Sequence, residues 1–328
     1  MAPDEQTGAG SRSGSTDTPL TRQQLVEQLA VSGVCPGDHV AVGMSFKAIG
    51  PVEGGAGGLI EALLEAVGPA GTIMVNTYTE HFGLSRIRTG RIDYVFDYRT
   101  TPCNTGLIPE MIRQRPDALR SRHPVTSVAA VGARARYLTE GHGVDAPAYS
   151  PYSRLAEIEG KYLSIGIGKR LVGFRHEAQY RAGLLGVVPK KLGVHYLDDD
   201  GVTREFVNRE PPGCVTTLGL LVDHLESLGL VRGGRLGLAT TRLVPAREAL
   251  VAMTELLKAR PAINLCDRVS CLWCRELERR LGLYEQLETR RYFQKYRPVI
   301  AVLAFLNWLR MGDNPLLTRA RRVIKVIP

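Results

Sequence analysis

The order strand, glycine-rich loop, helix, strand across residues 38–77 constrains the fold most. Residues 38–43 (DHVAVG) alternate like a strand. Residues 46–58 are rich in glycine, GLIEALLEAVG is an amphipathic helix closed by Gly68, and residues 71–77 form a second apolar strand. The apolar period passes from 2 to 3.6 and back. A helix of that kind has to bury its apolar face against the strands it joins, so the unit predicts an α/β fold, a mixed sheet flanked by helices. The rest of the chain agrees. A helix opens at Leu20 with Thr21 as N-cap. Residues 137–149 read as helix and loop carrying His142 and Asp145, residues 162–167 as a short buried strand, and HEAQYRAG as a helix start. Residues 190–206 alternate as a hairpin around Asp200-Gly201. Helices are expected over 218–228 and 245–257, with a strand at 235–239.

Composition narrows the setting. The chain has 328 residues, 44% of them hydrophobic, enough for a sizeable core. No apolar run reaches the roughly 18 residues of a spanning helix, and no apolar signal core opens the chain. Six cysteines in this length do not make a secreted disulfide framework, so a cytoplasmic setting is the expectation. The net charge of +9 is uneven: residues 267–328 hold thirteen Lys and Arg against six Asp and Glu. That reads either as a solvated basic face or as a surface for an anionic partner such as lipid or a carrier protein. No nucleic-acid motif accompanies it, so nucleic acid is not expected.

Residues 98–128 concentrate groups that bind anions and move protons. Arg99, Arg113, Arg115, Arg120 and Arg122 lie there with Ser121, Thr126, Ser127, Glu110 and His123, between four prolines. Arg120 and Arg122, beside hydroxyls, suit a phosphate; the same arginines also suit a solvated helix face. Glu110 suits an orienting carboxylate or a helix N-terminal charge. His123 and His176 each read as a base with a pKa near working pH or as a hydrogen-bonded structural residue. Residues 50–58 (GPVEGGAGG) suit a close-packed turn or a phosphate cradle of backbone N–H groups, but carry no P-loop lysine.

The end of the chain is a separate problem. Cys266, Cys271 and Cys274 have a C-x4-C-x2-C spacing that suits zinc, a redox pair or plain burial. A fourth ligand would have to come from Cys214, Cys35 or a histidine of the body. The apolar run 299–309 is followed by basic residues. It suits a helix docked on the body or at a homodimer contact, or an interfacial helix lying on a membrane.

TPxxTGxIPExxRxRP followed by RSxHPxxSxAAxG resembles the core signature of the aminoglycoside 3-N-acetyltransferase family. GDHVAVGMSFKAIGPVEGGAGGLIEALLEAVGPAGTIMVNTYT, SPYSRLAEIEGKYLSIGIG, HEAQY and GRLGLATTRL are similar to family segments in the same order. The resemblance runs over residues 20–265. It implies an acyltransferase-like domain at 20–265, which leaves a helical basic extension at 266–328 and, from its Gly, Ser, Thr and Pro content, a disordered leader at 1–19. It implies N-acyl transfer from acetyl-CoA to an amine, with an acyl carrier protein as the alternative donor. A binding or scaffold protein that kept the fold is the reading from another class. His176 matches the family histidine taken to activate the acceptor, His123 matches the family position near the donor, and Glu110 is the third catalytic candidate, as an orienting carboxylate. Ser45, Lys47, Gly50, Gly54, Gly55, Thr77, Arg120, Ser121 and Ser127 are the expected cofactor contacts. Tyr78, Asp97, Arg170, Glu177 and Gln179 are the expected substrate contacts. The chain departs from the family pattern in having Gly43-Met44-Ser45 after the first strand, Arg170 for an acid, Val172-Gly173 for an Asn-Thr pair, and Gln179 for the acid after the histidine. Arg170 points to a neutral or anionic amine acceptor, such as a nucleotide-linked amino sugar or a biosynthetic intermediate, over a polycationic antibiotic.

Overall fold

The computed structural model describes residues 18–186, 191–211, 214, 219–266, 268, 271–282 and 302. The leader before residue 18 lies outside them, as does the apolar run 299–309 apart from Val302. Among the described residues no helix is long and apolar enough to cross a membrane.

In chain order the first half comprises α1 (Arg22–Val31), β1 (His39–Met44), α2 (Gly55–Val67), β2 (Thr72–Asn76), β3 (Phe82–Gly83), α3 (Leu84–Arg88), β4 (Val95–Phe96), α4 (Leu107–Arg113), β5 (Leu119–Arg120) and β6 (Val128–Gly132). The second half comprises α5 (Ala135–Thr139), α6 (Ser150–Glu157), β7 (Lys161–Ile165), α7 (Phe174–Arg181), β8 (Leu192–Leu197), β9 (Thr203–Asn208), α8 (Gly219–Ser227), β10 (Arg232–Leu236), β11 (Ala239–Pro245), α9 (Ala246–Ala259) and α10 (Leu272–Leu281). Helix α1 starts where the sequence places it. Thr21 and Gln24 cap each other's backbone N–H groups, which satisfies two otherwise unpaired donors.

Seven strands form the main sheet in the order β10-β11-β7-β1-β2-β6-β5. β1 runs parallel to both β2 and β7, while β6 and β11 run antiparallel to their inner neighbours. The expected mixed sheet flanked by helices is therefore present. Period-2 alternation divides the core between its faces. Val40 and Val42 of β1 join α1, α2 and α4 on one side; Ala41 joins α6, α7 and α9 on the other. Each buried leucine or valine contributes about 1.5–3 kcal/mol, so these two faces hold the sheet together.

Two expectations need correction. The strand expected at 235–239 is the turn end of a hairpin: β10 finishes at Leu236 and β11 runs Ala239–Pro245. TTRLV is amphipathic at period 2, but the following proline disguises it as the approach to a helix. Of a second, smaller sheet only the β8–β9 hairpin was apparent in the sequence. β8 pairs with β9 along one side and with β3 and β4 along the other. The two-residue strands β3 and β4 are too short to show any period.

The parallel core decides where a ligand can sit. The chain leaves β1 toward β2 on one side, and β7 lies against β1 on the other, so the carboxyl ends of these strands open a crevice. Three segments meet there: residues 45–50 after β1, residues 76–79 after β2 and residues 166–173 after β7.

Candidate active site

The loop after β7 is pinned by one carbonyl. Val172 O accepts from Asn76 Nδ2 at 3.0 Å, Tyr152 Oη at 3.0 Å and Tyr162 Oη at 3.1 Å. Tyr152 Oη also lies 2.5 Å from Asn76 Oδ1. Gly173 follows with φ +82°, a region L side chains rarely adopt. A Cβ there would fall 2.3 Å from Tyr78 Oη and 2.6 Å from Tyr152 Oη. The departure at Val172-Gly173 is thus matched by tyrosine hydroxyls filling the space.

From Gly173 the chain enters α7, which presents His176 and Gln179 to the interior. His176 is 5% exposed. Its Nδ1–H donates to Gln179 Oε1 at 2.6 Å, and its ring lies 5.0 Å from that of Tyr149. Burial, reinforced by the neighbouring Arg175, pushes the imidazole down to about 3, so it is neutral at any working pH. With Nδ1 carrying the proton, Nε2 keeps its lone pair. Gln179, whose amide cannot neutralise an imidazolium, fixes the tautomer all the same. Glu177 faces away: its carboxylate accepts from Ser153 Oγ and, at 3.0 Å, from Arg181 Nε. Burial raises its pKa against those partners.

Arg175 was not singled out from the sequence. It is 6% exposed, and its Nε and Nη1 have no hydrogen-bond partner among the described residues. Burial pushes its pKa down to about 10, which leaves it charged. Exposed Arg170 adds positive potential to the same place.

The 98–128 stretch spends its polar groups on itself. Arg120 donates to Thr101 O at 2.6 Å, Thr77 O at 3.1 Å, Tyr98 O at 3.2 Å and Ser127 Oγ at 3.2 Å, with its guanidinium over the Phe96 ring. Ser127 Oγ donates to Thr77 O at 2.7 Å, and Ser121 Oγ accepts from Val128 N at 2.9 Å. Glu110 accepts from Arg113 at 2.6 Å, Cys103 N at 2.9 Å and Gln114 at 2.8 Å; the guanidinium holds its carboxyl down to about 2. Asp97 accepts from Arg99 N at 2.9 Å and Thr100 Oγ1 at 3.0 Å in its own turn. This geometry makes Arg120, Ser121, Ser127, Thr77, Glu110 and Asp97 braces of the loop.

His123 is buried, with Nδ1 accepting from Thr126 N at 3.0 Å and Val125 N at 3.2 Å. It stacks on His142 at 4.9 Å, and burial pushes it down to about 3. It lines a cleft of about 440 Å³ with Ala148, Tyr180 and Glu210. Glu210, another residue not read from the sequence, accepts from Ala148 N at 2.7 Å, one residue before Tyr149. A second cleft of about 670 Å³ is lined by Tyr98, Arg120, Arg122, His142 and Asp199.

On the far side of the crevice, Gly54 (φ +70°) and Gly55 (φ +60°) lead into α2, and Lys47 is exposed. Ser45 N donates to Ile165 O at 2.9 Å, tying this loop to β7. The sequence signals for Gly50, Gly54, Gly55 and Lys47 were therefore local. Asn76, Tyr152 and Tyr162, which shape the crevice, come together only through the sheet register.

A buried neutral histidine on a crevice at the ends of parallel strands, in this mixed sheet, belongs to the N-acetyltransferase class. Residues 42–258 match the family model for aminoglycoside 3-N-acetyltransferases, and the chain belongs to that family. It is 33% identical to an aminoglycoside N(3)-acetyltransferase III of Salmonella sp. over 255 residues, 70% of this chain and 88% of the relative. It is 30% identical to an aminoglycoside N(3)-acetyltransferase VII of Streptomyces paromomycinus, covering 72% and 90%. Among solved structures it is similar to the apoenzyme of aminoglycoside acetyltransferase AAC(3)-IVa, at TM-score 0.66, 27% identity and coverage of 80% and 98%. It is also similar to AAC-IIIb bound to CoASH, at TM-score 0.62, 25% identity and coverage of 74% and 98%. AAC-VIa bound to sisomicin aligns at TM-score 0.63 and 28% identity over 74% of this chain and 99% of that one.

Proposed function

We propose that the protein transfers an acetyl group from acetyl-CoA to an amine of an amino-sugar acceptor, directly, with His176 as general base. The observation that carries this is the 2.6 Å contact of His176 Nδ1 with Gln179 Oε1, an atom that can only accept; it assigns the ring proton to Nδ1 and the lone pair to Nε2. Acetyl-CoA supplies an activated acyl carbon. Nε2 takes the proton the amine loses as the C–N bond forms and the C–S bond breaks; that proton then goes to the leaving thiolate. Burial keeps Nε2 unprotonated and holds the imidazole well below the near-neutral pKa expected from the sequence, the value that suits a general base best. The orientation given by Gln179 and Tyr149 holds it in line with the amine. The relatives named as N(3)-acetyltransferases, and the neighbours solved with CoASH and with sisomicin, support the donor and the amine acceptor.

Lys47, Gly54 and Gly55 suit the phosphates of the donor: an exposed cation, and glycine backbone that no side chain crowds. Ser45 and the turn at Gly50 position them. Arg120, Ser121, Ser127 and Thr77 act on the donor side only through the loop they brace, as do Glu110 and His123. On the acceptor side, Tyr78 shapes the crevice, and Arg175 and Arg170 favour a neutral acceptor or one carrying an anionic group.

The test is thiol release from acetyl-CoA with two acceptor panels, sisomicin-like aminoglycosides and nucleotide-linked amino sugars. Turnover with either panel, lost in His176→Ala, supports the transfer, and faster turnover of the anionic panel supports the charge argument. Turnover only from an acyl carrier protein would replace the donor. Binding of acceptor without turnover from any thioester would make the chain a binding protein.

A further inference from the structure

Four cysteine sulfurs converge where the C-terminal extension meets the body. Cys214 comes from the segment between β9 and α8, and Cys266 follows the turn after α9. Cys271 is the residue before α10, and Cys274 lies in that helix's first turn. Their Sγ atoms all lie within 4.8 Å of one another. Cys266 and Cys274 are 3% and 2% exposed, and Cys214 and Cys271 are half-buried. None of them is in a disulfide bond.

We propose that these four cysteines bind one Zn²⁺ as tetrahedral thiolates and that the ion fastens the extension to the acetyltransferase body. Four neutral thiols gain little from such convergence, since S–H is a weak donor, and four thiolates without a cation would repel one another. A divalent ion removes both difficulties. Tetrahedral zinc with Zn–S near 2.3 Å sets its sulfurs about 3.8 Å apart, inside the observed envelope. All four positions are filled by protein, which leaves no open position for catalysis and marks a structural site.

The surroundings suit thiolates. The backbone N–H of Cys266 donates to Cys274 Sγ at 3.2 Å, the outer-shell contact that orients a metal-bound sulfur. Cys271 and Cys274 sit at the N-terminal end of the ten-residue α10, where the helix dipole favours negative charge. Arg275 donates to Cys266 O at 2.9 Å and pairs with Glu278 at 2.7 Å, so the loop and the helix are already held in register. The C-x4-C-x2-C spacing supplies three ligands, and the fold supplies the fourth from the main domain.

The test uses the full chain purified without chelators or affinity metals. Elemental analysis is expected to find about one zinc per chain, and to find it lost in Cys214→Ser and Cys271→Ser but kept in Cys35→Ser. Exchange into Co²⁺ alone is expected to give the near-ultraviolet sulfur-to-cobalt charge-transfer band of a thiolate site. That readout on the unsubstituted protein stands even where a serine variant fails to fold. Stripping zinc with a chelator is expected to lower Tm by about 5 °C or more, because binding free energy is folding free energy at such a site. Protein that carries no zinc, gains no Tm from added zinc and shows no cobalt band would overturn the proposal. So would iron or copper in place of zinc, or disulfides among these cysteines in freshly purified protein.

Discussion

The 98–128 stretch and helix α7 hold their polar groups in opposite states. In the first, Arg120 and Glu110 are fully occupied by loop carbonyls, hydroxyls and Arg113. In the second, Arg175 is buried with two nitrogens that find no partner among the described residues, and His176 keeps a lone pair. A buried polar group without a partner costs about 1–3 kcal/mol. That cost is tolerable where a ligand later supplies the partner. Density of polar residues therefore marks the loop that shapes the site, and incomplete pairing marks the chemistry.

The sharpest way to break this contrast is His176→Ala. Loss of a general base should lower kcat by roughly 10²–10⁴-fold while acetyl-CoA affinity, read by calorimetry, stays unchanged. Equal loss of kcat in Arg120→Met at unchanged stability would move the chemistry back to the signature stretch. Gly173→Ala comes next. It combines a forbidden φ with contact on two tyrosine hydroxyls, and should cost about 3 kcal/mol in denaturant unfolding. The two arginines then separate. Arg120→Met strands the carbonyls of Thr77, Tyr98 and Thr101 and should destabilise by about 2 kcal/mol. Arg175→Met removes a buried charge, should be neutral or stabilising by about 1 kcal/mol, and should raise the acceptor KM. Unfolding midpoints of both variants decide the pair.

Acid sharpens the comparison further. His123 and His176 titrate near 3 in the fold and near 6.5 when unfolded, so folding favours their neutral forms. That contribution is complete above about pH 6.5 and is lost as the pH falls toward 3. Tm should decline through that window, and His123→Asn should flatten the decline. The smallest effect on turnover belongs to Glu110→Gln. The amide keeps an acceptor for Cys103 N but weakens the pair with the 9%-exposed Arg113, so the loss should be about 1–2 kcal/mol of stability, and the pH–rate profile should not move.

The sheet was readable because its inner strands and α2 carry unbroken periods, and the family signature reinforced them. β11 escaped because Pro245 ends it and starts a helix in the same residue. His176 was legible through its motif. Arg175 was not, because an arginine beside a histidine on a helix looks solvated until the packing of α7 between α6 and α9 is known. Cys214 was one of several candidates for the fourth ligand, and only the fold singles it out from Cys35 and the histidines, because it lies far from the other three in sequence.

The anchor at Val172 has an evolutionary consequence. Three side chains grip its carbonyl, an atom that any residue at this position supplies. Drift at position 172 is silent so long as the peptide keeps its course, whereas Asn76, Tyr152 and Tyr162 can change only together. Position 172 is thus free to vary beside a Gly173 that is not, and so to explore new acceptors, while the placement of the histidine of α7 is inherited unchanged.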